Sequence, residues 1–118
     1  MIETIKSIEL RHNGYAVAAM FFNQLGQHEA AKRYADRLKT ISTTERNNCL
    51  YKGLLIESLF KLNQVQPDDN IFNEGIASCQ NEIIMAGFIR SYRLLLFIQN
   101  QQPETGIKYI LPALSDIK

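Results

Sequence analysis

The chain has no tryptophan and little glycine or proline, 6 and 3 residues respectively out of 118. The two together normally make up about 12% of a globular protein, so their scarcity favours long helices over a turn-rich β fold. Cysteine is sparse as well, with Cys49 and Cys79 standing alone 30 residues apart. Small secreted domains carry a denser, paired framework. The two thiols therefore read as reduced core residues of a cytoplasmic protein, with a disulfide as the alternative. Neither sign of charge dominates: 13 Lys and Arg stand against 12 Asp and Glu, a net charge of +1. A dedicated nucleic-acid binder would show a clear basic excess. Apolar runs such as Leu94 to Ile98 fall well short of the roughly 18 residues that cross a bilayer. The opening Met1-Ile2-Glu3-Thr4-Ile5-Lys6 has no apolar stretch of signal-peptide length. Neither nucleic acid nor a membrane is an expected partner.

What is present has helical spacing. Apolar residues make up 46% of the chain and charged ones 21%, an ordinary globular mix, and the length suits a single domain over 1–118. Tyr15, Ala18, Ala19, Phe22 and Leu25 recur at steps of three and four, the apolar stripe of a helix. Gly26 ends it, since glycine adopts the left-handed conformation without steric cost. Ala30, Ala31, Tyr34, Ala35, Leu38 and Ile41 mark a second helix. Ser42-Thr43-Thr44-Glu45 forms a capping box for a third, running through Leu50, Leu54, Leu55, Leu59 and Leu62. Pro67-Asp68-Asp69 opens a fourth, proline and acids both suiting a first turn. A fifth is expected from about Phe88 to Asn100, and a last one starts at Pro103-Glu104 and is interrupted at Pro112. A short leading helix precedes Asn13-Gly14. The sum is an all-α chain of six or seven helices: a leading helix over 1–12, then hairpins at about 14–41, 43–86 and 88–117.

The first hairpin resembles a tetratricopeptide repeat in Tyr15, Ala18-Ala19, Phe22, Gly26, Ala31, Ala35 and Leu38. Small residues at such positions let two helix axes approach closely. Gly53 and Gly75 could take that role in a second hairpin, and Gly106 and Ala113 in a third. The resemblance implies antiparallel hairpins stacked as a right-handed superhelix, which bind partner segments on the concave face made by the first helix of each hairpin. A plain six-helix bundle is the alternative. Carried onto this chain, the groove positions are Ala16, Met20 and Asn23 from the first unit, Leu50, Leu54 and Glu57 from the second, and Phe88, Ser91, Leu95 and Ile98 from the third. Ala16, Met20, Leu50 and Leu54 stand where a carboxylate-gripping member would need Lys and Arg, so an apolar groove for an amphipathic helix is the better fit.

The apolar Leu94 to Ile98 covers more than one side of its helix, which calls for burial by the closing helix or by another chain. The partner is thus another protein or a second copy. Size and the Leu25-Gly26-Gln27-His28-Glu29-Ala30-Ala31 hairpin give a likeness to the small helical-repeat chaperones of type III secretion. The alternative function is a ligand- or peptide-sensing module controlling transcription or signalling. His12, His28, Cys49 and Cys79 form no compact ligand pair, and no metal or cofactor is expected. No nucleophile elbow, catalytic-cysteine context or phosphate loop occurs, so no enzymatic activity is expected.

Overall fold

The computed structural model describes residues 7–41 and 44–100. They form five helices: α1 (Ile8–Gln24), α2 (His28–Leu38), α3 (Glu45–Lys61), α4 (Asn70–Ser78) and α5 (Ile83–Gln99). No strand occurs among the described residues, so the chain is all-α there. The count is five rather than six or seven. The helix expected after Pro103, and the first residues of the leading one, lie outside the described residues.

Helix boundaries differ from the sequence reading in four places, each for a local reason. Pro67-Asp68 form a turn before α4 and not its first turn, because the Asp69 carboxylate accepts the Gln66 amide at 2.8 Å and the helix starts only at Asn70. Asn13-Gly14 does not separate two helices, because α1 starts at Ile8 and runs straight through it. The Ser7 hydroxyl accepts the Leu10 amide at 3.4 Å, and burial of His12, Tyr15, Ala16 and Ala19 outweighs the modest cost of one glycine. The cap of α3 is Thr44, whose hydroxyl accepts the Asn47 amide at 3.1 Å, which leaves Glu45 in the first turn, where the dipole favours an acid. Finally, α4 stops at Ser78 and α5 begins at Ile83, so Ala86-Gly87 lies inside α5. Gly26 sits in the left-handed region at φ 78°, as a helix stop requires, and Asn63 does the same after α3 at φ 57°.

Short connections fold successive helices back on one another. Two apolar cores result, one on each side of α3. Tyr15, Ala16 and Ala19 of α1 and Ala35 and Leu38 of α2 meet Tyr51, Leu54 and Leu55 of α3. Phe72 of α4 and Ala86, Ile89 and Leu96 of α5 meet Cys49 and Ile56 on its other side. Ala31 and Ala35 are fully buried, the small side chains that a close α1–α2 crossing needs. Tyr34 stacks on Phe22 with ring centroids 5.6 Å apart, and the Arg37 guanidinium lies over Tyr34 at 5.0 Å. In the second core, Arg93 is buried. Its Nε donates to the Pro67 carbonyl at 2.7 Å and its Nη1 to Asn73 Oδ1 at 3.0 Å, which ties α5 to the loop before α4. No described helix is long and apolar enough to cross a membrane.

The two cysteines are not free thiols. Cys49 of α3 and Cys79, just after α4, form a disulfide with Cα atoms 4.9 Å apart, within the range such a bond requires. Their separation of 30 in sequence matches no motif because helix packing, and not a loop, brings them together.

Two predictions follow from this architecture. Loop-closure entropy gives a bridge of this span about 3 to 4 kcal/mol. Reduction, or Cys49→Ala with Cys79→Ala, is therefore expected to lower the melting temperature by about 15 °C in circular dichroism scans. An unchanged melt after thiol counting confirms reduction would remove the bridge from the fold. Burial holds the His12 imidazole below its ordinary 6.5, opposed in part by a hydrogen bond with the Asn47 backbone. The unfolded chain then takes up the proton first, so this contribution is intact above 6.5 and is lost as pH falls through and below that value. His12→Gln is expected to flatten the decline in melting temperature between about pH 7.5 and about pH 5.5.

Candidate partner-binding groove

The side of α3 between its two cores, together with Leu54 at the edge of the first, forms the floor of a groove. Leu50, Gly53, Leu54 and Glu57 lie along it, with Met20 of α1 on one side and Met85, Phe88 and Tyr92 of α5 on the other. The enclosed space is about 260 Å³. Its walls are open to solvent, Met20 being 47% and Phe88 55% exposed. Gly53 sets the approach of α5, because a Cβ there would overlap the Met85 thioether. Gly53 therefore serves the contact with α5 rather than a crossing of α3 with α4. That crossing uses Gly75, where a Cβ would sit 3.2 Å from Ile56 and 3.1 Å from Ile89.

A second, more polar cavity of about 700 Å³ shares Leu50 and Met85 with the groove and continues it. Glu9 and Asn13 of α1, Thr44, Arg46 and Asn47 at the start of α3, and Glu82 before α5 line it. Arg46 Nε lies 3.8 Å from Glu82 Oε1, an exposed pair that contributes little stability.

Glu57 is the one charged side chain lining the apolar part, and neutral groups hold it. Asn23 Nδ2 donates to Glu57 Oε1 at 3.3 Å. Asn23 Oδ1 in turn accepts the Ser58 hydroxyl at 3.2 Å and lies 2.9 Å from His28 Nδ1. Burial pushes the Tyr92 phenol up, and the charge and hydrogen bonding of Glu57 push it further, so the phenol stays protonated and donates to the carboxylate. Tyr92 also packs on Phe60 of α3, with ring centroids 4.8 Å apart.

The ten positions expected from the sequence fall into three groups. Met20, Leu50, Leu54, Glu57 and Phe88 come together in the groove. Ala16 is buried in the first core, and Asn23 is buried beneath the groove as the residue that orients Glu57. Ser91, Leu95 and Ile98 are exposed on α5. They continue a stripe from Ile84 and Phe88 at alternating steps of four and three, on the side away from buried Ile89, Arg93 and Leu96. Gly53, Met85 and Tyr92 were missed. Starting α5 at Ile83 instead of Phe88 would have found two of them, since Met85, Phe88 and Tyr92 then share one face.

Cys49 and Cys79 are bonded to each other, which removes both thiolates as metal ligands. Among the described residues no group of three or more His, Cys, Asp or Glu could hold a metal ion.

A neutral naphthylamine dye, which fluoresces in apolar surroundings, is expected to brighten on binding the wild-type chain. Phe88→Glu should cut that signal several-fold with helicity unchanged, because Phe88 is exposed and its loss costs the core nothing. An equal signal from the variant would place the dye elsewhere. No protein-family model matches the chain, and neither a curated protein nor a solved structure matches it.

Proposed function

We propose that the protein is a binding module, not an enzyme, that holds a segment of another protein in the groove lined by α1, α3 and α5. One observation carries this reading: exposed Met20 and Phe88 face each other across an apolar floor formed by Leu50, Gly53 and Leu54. Exposed apolar side chains that converge on one concavity are the mark of a docking surface, whereas scattered ones are ordinary. α1 and α3, each the first helix of a hairpin, line the groove together with α5, which is the arrangement a tetratricopeptide-like superhelix would use. In that reading the protein masks an apolar segment of its client, as a small secretion chaperone does. Neither nucleic acid nor a membrane is assigned a part. A cytoplasmic protein would keep Cys49 and Cys79 reduced, so the bridge counts against that location.

The test compares capture of partners by four forms of the full chain. Wild type is expected to retain a client protein that Met20→Glu and Phe88→Glu both lose. Leu10→Glu, a substitution at an exposed position of α1 outside the groove lining, should retain it. Loss in all three variants, or in none, would move the interaction off the groove. If the module is instead a ligand sensor, a small apolar compound should raise the melting temperature of wild type and leave Phe88→Glu unaffected.

A further inference from the structure

The groove's charge narrows the chemistry of its occupant, an inference that rests on the binding reading above. Glu57 is half-buried beside apolar side chains, and among the described residues its hydrogen-bond partners are neutral: the Asn23 amide and the Tyr92 phenol. Among the described residues no cation pairs with it. The adjoining polar cavity adds the carboxylates of Glu9 and Glu82 against the single guanidinium of Arg46, a net negative charge. Lys61, the next cation along α3, lines neither cavity. The concave face is therefore apolar in the middle and acidic along its length.

A carboxylate held by neutral donors next to apolar surface is costly to leave without a counter-charge when a guest displaces its water. An acidic or neutral guest would impose that cost, and a basic one would remove it. We infer that the occupant is a basic amphipathic helix of another protein, which seats a large apolar side chain between Met20 and Phe88 and a lysine or arginine on Glu57. Its apolar residues would recur at steps of three and four, with the basic residue one turn from the anchor.

The experiment uses two labelled synthetic helical peptides of about 14 residues, about four turns. They carry the same leucine positions, with lysine in one and glutamate in the other at the flanking sites. Fluorescence anisotropy with the full-length oxidised chain should show the lysine peptide binding about tenfold more tightly at low salt, with the preference shrinking as salt rises. Glu57→Gln keeps an oxygen acceptor for Asn23 and Tyr92, so the fold is retained, and it should reduce the preference about fivefold. Phe88→Glu, which keeps Glu57 and adds an acid, should weaken the lysine peptide by removing its apolar seat. Equal binding of both peptides, abolished by Phe88→Glu, would overturn the charge assignment and leave the groove reading standing. A lysine preference unchanged by Glu57→Gln would overturn the role of Glu57. Binding of neither peptide, or a self-associated chain that excludes both, would overturn the inference, while the capture comparison decides the binding reading separately.

Discussion

Burial of α3 on two opposite sides is the constraint on which the other helices depend. Tyr51, Leu54 and Leu55 face one core and Cys49 and Ile56 the other, so a single helix must supply apolar surface around most of its circumference. Such a helix is stable only when neighbours cover it, and α1, α2, α4 and α5 all do so. Gly53 and Gly75 sit where that crowding is greatest. The strip of α3 at the edge of the first core, between α1 and α5, is the groove floor. The candidate site is thus a by-product of how the core is divided.

Much of the first hairpin was legible in the sequence, because its signals are local. Tyr15, Ala19, Ala31, Ala35 and Leu38 declare an amphipathic pair with small crossing residues, and Gly26 declares the turn. Signals failed where distant packing decided the outcome. The bridge of Cys49 to Cys79 depends on how α3 and α4 meet, and no spacing rule encodes that. Charged side chains are ordinarily exposed, yet the Pro67 carbonyl and Asn73 accept the hydrogen bonds of Arg93 in the interior, where an unpaired guanidinium would be prohibitive. Half the groove followed from the positions that the tetratricopeptide resemblance implies in α1 and α3. The α5 wall was misread by one face because the helix start was placed at Phe88 rather than Ile83.

The polar groups gathered around Asn23 are matched, which gives the groove a defined chemistry. Asn23 links α1 to Ser58 and Glu57 of α3 and to His28 at the start of α2. Three helices therefore share one amide, and the orientation of the groove's carboxylate is inherited from their packing. A buried network of this kind is rigid when its members are satisfied, so Glu57 is presented in a fixed pose. Loss of Asn23 would release it.

Among the described residues α1 and α5 make no close approach to each other, although both form walls of the groove. Among the described helices, α3 is the one that touches both walls. An occupant of the cleft would act as the keystone of this three-helix arrangement. A guest seated against both walls would join α1 and α5 directly, so that the two helices would loosen and melt together.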